Sequence, residues 1–184
     1  TERTMLMGYG SNWRENPEVL HDFGGQHVGF SRRLDLGDSI MTALAVAPFC
    51  ITPVRFTDLG RLRVQVCERV VALRTELTKC GARVIEEGDT LTVYPSTLHG
   101  AEIETYNDHR MAMCFAILGL KVAGIKIKNP SCVKKTFPNF FQKLAAAPPH
   151  GLGATILDAK GGKLPPGQLF DHCAGTHESS WTDS

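Results

Sequence analysis

The sequence predicts an α/β fold built from repeated helix–strand units, and three observations point to it. Apolar stretches with helical spacing alternate along the chain with short runs suited to strands. One pair of strand-like runs is joined by the tight connection Glu87-Gly88-Asp89, as in a hairpin, so an uninterrupted parallel sheet does not fit. With 184 residues, 42% of them apolar, the chain can bury one real core, and one globular domain with a loose end is the default expectation.

Taken in order, residues 1–33 are rich in Gly, Asn, Arg and His and show little periodicity beyond a short strand at His27 to Phe30. The run from Ser39 to Phe49 reads as a buried helix because Ala, Leu and Met dominate it and Asp38 stands where an N-cap would. Pro53 then opens a strand over Val54 to Thr57. From Arg63 to Cys80, the residues Val66, Val70, Leu73, Leu77 and Cys80 recur at spacings of four and three, which predicts an amphipathic helix ended by Gly81. Arg83 to Glu86 and Thr90 to Val93 form the hairpin. A strand at Ala101 to Glu104, an apolar helix at Met111 to Leu120 and a strand at Val122 to Ile127 repeat the order in outline. Pro130-Ser131 turns the chain into a last helix with Thr136 as its cap and Phe137, Phe140, Phe141 and Leu144 on one face. Beyond Ala145 come Pro148-Pro149, a short strand at Ala154 to Leu157 and a polar end, Thr176 to Ser184, expected to be disordered.

Composition excludes several classes of function. Twenty basic against 19 acidic residues, a formal net charge of +1, provide no basic field for gripping a nucleic-acid backbone. No stretch approaches the roughly 20 apolar residues that span a bilayer, and no secretory signal opens the chain, so a cytoplasmic location is expected with no membrane partner. The cysteines Cys50, Cys67, Cys80, Cys114, Cys132 and Cys173 form no C-x-x-C pair and read as reduced, buried thiols. His172-Cys173 and His177 lack a companion cluster at zinc-like spacing, so no metal is expected. Gly8-Tyr9-Gly10-Ser11 has neither a P-loop lysine nor Rossmann spacing and reads as a turn.

The strongest local anomaly is Asp108-His109-Arg110 at the front of the apolar helix. A helix N-terminus carries about half a positive charge, so an arginine there wants an anion. Lys134-Lys135 repeat the pattern before the helix expected at Thr136. Two such starts would suit a phosphate or carboxylate, because backbone N–H groups and side-chain donors converge on its oxygens. Equally, Arg110 and the lysines can be solvated surface charges, with Asp108 serving only as a cap. Asp38, and Arg69 four residues after Gln65, have ordinary readings as a cap and a helix-surface pair.

The run Thr105-Tyr106-Asn107-Asp108-His109-Arg110-Met111-Ala112-Met113, followed by Asn129-Pro130-Ser131-Cys132-Val133-Lys134-Lys135-Thr136-Phe137-Pro138-Asn139-Phe140-Phe141, resembles the C-terminal signature of the 5-enolpyruvylshikimate-3-phosphate (EPSP) synthase family. Asp38-Ser39-Ile40-Met41-Thr42 resembles that family's Asp-Ala-Ala-Met-Thr helix start, and Arg63 to Gly81 its Arg-Val-Lys-Glu-Thr-x-Arg helix. The resemblance covers about residues 34–145, leaving residues 1–33 unassigned and 146–184 as a Gly/Pro-containing extension.

This resemblance implies βαβαββ units forming part of an inside-out α/β barrel. It also implies transfer of the enolpyruvyl group of phosphoenolpyruvate to the 5-hydroxyl of shikimate-3-phosphate with release of phosphate, a step of aromatic amino acid biosynthesis that needs no metal or organic cofactor. Residue by residue, Asp38 corresponds to the aspartate that contacts the shikimate hydroxyls and can act as base. Arg69, Arg110 and Lys135 correspond to cations that hold phosphoenolpyruvate, with Lys135 able to assist proton transfer or phosphate departure. Asp108 and His109 sit beside them and orient the cluster.

Departures accompany the likeness. Gln65-Val66 replace the family's Lys-Glu, so a substrate-binding lysine and an acid/base glutamate are missing, and Arg61 stands where an asparagine is expected. The Lys-Ser-x-Ser-x-x-Arg and Gly-Asn-Ala-Gly-Thr motifs of the family's N-terminal domain are not found. Three expectations follow: a transferase whose cleft is completed by self-association, a non-catalytic anion-binding module of the same family, or a structural fragment. In the first two, the inhibitor glyphosate should bind weakly if at all, because Lys and Glu contacts are lost.

Overall fold

The computed structural model of the chain describes residues 28–158, 160–165 and 169. Expectations for the segment before Val28, for the His172, Cys173 and His177 group and for the polar end lie outside these residues. The backbone divides into two compact units, Thr1–Leu98 and His99–Ser184.

In the first unit the elements are β1 (Val28–Ser31), α1 (Ile40–Val46), β2 (Val54–Thr57), the one-turn α2 (Gly60–Arg63), α3 (Arg69–Lys79), β3 (Val84–Glu87) and β4 (Thr90–Val93). Apart from the short α2 this is a βαβαββ unit. Its sheet has the order β1-β2-β4-β3, with β1 parallel to β2 and the other neighbours antiparallel. Register aligns Val28, Val54, Val93 and Val84 in one row and Phe30, Phe56, Leu91 and Glu86 in another. Alternation then sorts the faces: Val54 and Phe56 are buried while Arg55 between them is exposed. The Phe30 and Phe56 rings stack with centroids 6.0 Å apart.

Helices α1 and α3 touch each other, and both bring apolar surface to the core. Ile40, Met41, Ala43, Leu44 and Ala45 are all buried in α1, and Val70, Leu73, Leu77 and Cys80 form a fully buried stripe along α3. Each such Leu contributes about 1.5–3 kcal/mol relative to an exposed one. Gly81 ends α3 with φ +93°, its N–H bonded to the Thr78 carbonyl at 2.9 Å and that of Ala82 to Leu77 at 3.0 Å. That pair of bonds is the Schellman arrangement, which needs a residue free to adopt left-handed φ.

The second unit contains β5 (Glu102–Ile103), α4 (His109–Gly119), β6 (Lys126–Ile127), a 3₁₀ turn over Pro130–Lys135 and α5 (Phe140–Ala145), with β5 and β6 parallel. The order βαβα repeats the first four elements of the other unit. Its core joins Ala112, Ala116, Val133, Phe140, Phe141, Leu144 and Leu169. Phe137, Phe140 and Phe141 pack edge to face at 5.7 and 5.2 Å, although Phe137 itself stays 40% exposed.

The strand at Val54–Thr57 and the hairpin match the sequence expectation, and the structure corrects five others. The helix expected from Arg63 to Cys80 is broken over residues 64–68: Val64 and Val66 are exposed, and the Glu68 carboxylate caps α3 by accepting the Val71 N–H at 2.5 Å. Asp38 is not the N-cap of α1, because it lies in a 3₁₀ turn (Gly37–Ser39) and Ser39 takes that position. Thr136 caps no helix. The N–H groups of Thr136 and Phe137 both bond to the Val133 carbonyl, closing the 3₁₀ turn, and Pro138 disfavours helix at the preceding residue, so α5 begins at Phe140. Finally, Lys121 and Val122 bond back to Leu118 and Gly124 turns at φ +82°, which delays β6 to Lys126; the strand expected at Ala154 to Leu157 is reduced to one bridge between Leu157 and Lys163. Cys80 and Cys114 are buried as expected, whereas Cys50, Cys67 and Cys132 are only partly so.

Candidate functional site

Each unit holds one pair of adjacent parallel strands, β1 with β2 and β5 with β6, and a helix follows every one of the four. The connections leaving the C-terminal ends of these strands carry all the candidate residues. Asp38 follows β1, Gln65 and Arg69 follow β2, Asp108, His109 and Arg110 follow β5, and Lys135 follows β6. In α/β sheets ligands collect at this edge, where loop amides and helix N-termini converge.

In the first unit, Ser31 at the end of β1 receives the Leu34 N–H at 3.1 Å on its hydroxyl and donates that hydroxyl to Asp58, just past β2. The ends of the two strands are thereby tied. A wide turn, Arg32–Leu36, closed by the Gly37 N–H on the Arg32 carbonyl, delivers Asp38. The Asp38 carboxylate pairs with the Arg32 guanidinium at 2.5 Å, a partnership that no local motif announced. Arg69 opens α3 only 2% exposed and donates to the Gln65 side-chain oxygen. A cation at a helix start adds to the positive end of the dipole, so Arg69 makes this position strongly anion-seeking.

The loop between β2 and α3 is held by Arg63. Its Nη1 donates to Glu68 at 2.8 Å, Nη2 to Glu86 at 2.8 Å and to the Gly88 carbonyl at 2.5 Å, and Nε to Asp89 at 2.9 Å. These partners push the Arg63 pKa up, with the Glu86 hydrogen bond the largest cause. Sequence reasoning placed Arg63 only as the start of a helix; its role depends on the hairpin folding back.

In the second unit Asp108 is fully buried in extended conformation, and its Oδ1 accepts the Arg110 N–H at 2.8 Å. It is therefore the true cap of α4, and Arg110 does stand at a helix start. His109 is buried with Nδ1 3.9 Å from Asp108 Oδ1. Thr105 is fully buried ahead of them, and its Oγ1 has no hydrogen-bond partner among the described residues. Asn129 donates to Asn107 at 3.1 Å, linking the loop before α4 to the turn after β6, and both adopt left-handed φ, which Asn tolerates. Lys134 and Lys135 are exposed at the last turn of the 3₁₀ segment, not at a helix start. The dipole favours cations there, so the argument from two helix starts holds for Arg110 and fails for Lys135.

Among the described residues no group of three His, Cys, Asp or Glu side chains could hold a metal, and no helix is long and apolar enough to cross a membrane.

Comparison with known proteins bears on the family and the fold. A family model described as EPSP synthase (3-phosphoshikimate 1-carboxyvinyltransferase) matches residues 10–144. A 3-phosphoshikimate 1-carboxyvinyltransferase of Nostoc punctiforme is 45% identical over 109 residues, which are 59% of this chain and 26% of that protein. That of Bordetella petrii is 40% identical over 141 residues, 74% of this chain and 32% of that protein. The chain thus spans about a third or less of these relatives' length. EPSP synthase of Acinetobacter baumannii superposes with a TM-score of 0.57 at 24% identity, over 64% of this chain and 29% of that one, which shows the fold. By the extent of the family match, this chain is a member of the EPSP synthase (3-phosphoshikimate 1-carboxyvinyltransferase) family.

Proposed function

We propose that residues 34–145 carry the C-terminal-domain share of an enolpyruvyl transfer from phosphoenolpyruvate to shikimate-3-phosphate in the cytoplasm. The observation that supports it best is that, within each unit, the candidate residues follow the C-terminal ends of its parallel strand pair. Arg69 and Arg110 each stand at a helix start, where guanidinium and backbone N–H groups together meet phosphate or carboxylate oxygens. Gln65 extends the first of these, and Asp108 and His109 hold the second in place. Asp38, oriented by Arg32, accepts the proton of the attacking 5-hydroxyl as its oxygen bonds to the enol carbon and the neighbouring methylene carbon takes up a proton from Lys135. That carbon then returns a proton to Lys135, the double bond re-forms, and the bond from the former enol carbon to the phosphate oxygen breaks to release phosphate. Positioning and charge neutralisation account for much of such catalysis, and no cofactor is required.

Phosphate release from shikimate-3-phosphate plus phosphoenolpyruvate tests this, with each substrate omitted in turn. Release should need both substrates and fall at least about 100-fold in Arg110→Ala and in Lys135→Ala. Absence of release from folded protein would overturn the catalytic reading.

A second reading, an anion-binding module without turnover, is favoured by Val66, which stands at the family's glutamate position and cannot transfer a proton. It predicts saturable phosphoenolpyruvate binding, lost in Arg110→Ala, with no product. Under either reading glyphosate binds weakly, and self-association is the way a second copy could complete the cleft.

A further inference from the structure

We infer that Arg63 is a positioning residue for the anion site at the start of α3, setting the place of Arg69 and Gln65 without touching substrate itself. The inference rests on the proposed binding of phosphoenolpyruvate and adds to it a residue whose role the motif alone does not reveal.

Residues 64–68 form no regular structure, and exposed Val64 and Val66 supply no packing to hold them. Yet Gln65 and the entry to Arg69 depend on this stretch. Arg63 closes one end of it, because three of its nitrogens bond to four oxygens on Glu68, Glu86, Gly88 and Asp89. The backbone supports the same anchoring, with the Leu59 N–H on the Asp89 carbonyl at 3.1 Å. A Cβ on Gly60 would come 2.4 Å from Asp89 Oδ2, so α2 lies directly against the hairpin turn.

Glu68 closes the other end. One of its oxygens receives Arg63 Nη1 at 2.8 Å and the other the Val71 N–H at 2.5 Å. A single carboxylate therefore connects the Arg63 fork to the first turn of α3, one residue before Arg69. Withdrawal of the fork leaves Glu68 held by the Val71 N–H alone, and the direction in which the buried Arg69 guanidinium enters the site is less firmly set. Small displacements of a positioning contact are costly in binding and catalysis, on the order of 100-fold for an ångström. A lysine cannot replace this arrangement, since one ammonium lacks the planar fork.

The test uses the full chain. Phosphoenolpyruvate affinity is measured by calorimetry in wild type, Arg63→Met, Arg63→Lys, Glu68→Ala and the double variant Arg63→Met/Glu68→Ala, at a temperature where circular dichroism shows each folded. The Arg69 Nε–H resonance is followed in parallel. Arg63→Met and Glu68→Ala should each weaken binding about tenfold or more and shift that resonance, Arg63→Lys should restore little, and the double variant should bind no worse than Arg63→Met. If Arg63→Met does not fold, Glu68→Ala and Arg63→Lys decide. Melting temperatures that fall while affinity stays within about twofold of wild type and the resonance stays put would overturn the inference alone. Wild-type protein that binds no phosphoenolpyruvate would overturn the parent reading and this inference with it.

Discussion

Replacing Asp108 by alanine removes the carboxylate that closes the first turn of α4. Its Oδ1 accepts the Arg110 N–H at 2.8 Å from a fully buried position. Loss of an N-cap acceptor costs about 0.5–2 kcal/mol, and loss of a negative charge at a helix start about 0.3–1 kcal/mol. The two overlap, so a local cost of about 1–2 kcal/mol is expected, a factor of roughly 5–30 in the opening equilibrium. Asp108→Asn keeps an oxygen acceptor and gives up only the charge, which places it under about 1 kcal/mol. Native-state amide exchange at Arg110 is the suitable assay, because that N–H loses its acceptor and exchange reports the opening of this helix start by itself. Protection at Arg110 should fall in the order wild type, Asp108→Asn, Asp108→Ala, with the amides of α3 unchanged. Equal protection at Arg110 in wild type and Asp108→Ala would refute the claim that the cap orders this helix start. A phosphoenolpyruvate titration of the same samples separates the cap from the site: unchanged affinity in Asp108→Asn leaves a cap alone, and weakened affinity adds orientation of the anion.

Three other predictions follow from particular contacts. Gly100→Ala should destabilise the second unit by about 1–3 kcal/mol in urea unfolding, because its Cβ would meet the backbone of Ala123 and Gly124 at 2.6 Å, where nothing can swing aside. The hydrogen bond from Lys128, with burial opposing it, holds the Glu104 carboxyl below its ordinary pKa. Its folded-state value being the lower one, the stabilisation it contributes is present above the ordinary glutamate range and lost as pH falls through the lowered value. Titration of the Glu104 carboxyl by NMR should therefore move upward in Lys128→Met, and an unmoved titration would dismiss the pair. Gln65→Lys/Val66→Glu should raise phosphate release and tighten glyphosate binding if the missing pair limits the site, and unchanged release from folded protein would dismiss that pair as the limit.

Local pattern made much of the fold legible. Val54 to Thr57 alternates apolar and polar residues with β-branched or aromatic side chains and is a strand of those limits; Val70, Leu73, Leu77 and Cys80 form the buried stripe that their spacing foretold. Val66 fits the same arithmetic yet is exposed, because periodicity cannot see that Glu68 caps a new helix behind it. Thr136 failed for a similar reason: buried Val133 and Pro138 together set where one helix ends and the next begins. Of the candidate residues, Asp108, Arg110 and Arg69 were singled out by motif, and Arg110 also by helix-start electrostatics. Arg32, Arg63 and the Asn107–Asn129 link were not, since their meaning lies in partners set by the turn or the returning chain, 26 residues away for Arg63 with Asp89 and 22 for the asparagines.

The departure at Gln65-Val66 falls on a loop outside the buried core. Val66 is 46% exposed and its neighbour Val64 82%, whereas Arg69, a few residues on, is 2% exposed and opens a helix whose apolar stripe is fully buried. Substitution in the loop thus leaves the core contacts intact, while change at Arg69 would disturb a buried charge, for which removal of a partner costs several kcal/mol in typical cases. The two kinds of position are under different physical constraint. Persistence of the fold and of Arg69 is therefore compatible with loss of turnover, and chemistry performed through the loop is one feature that separates a transferase from a binding module. Gln65 accepts a hydrogen bond from Arg69, which a lysine at that position could not, so under the binding-module reading the guanidinium stays held without the lysine. Val66, which keeps no proton-transferring group, is where catalysis would fail first.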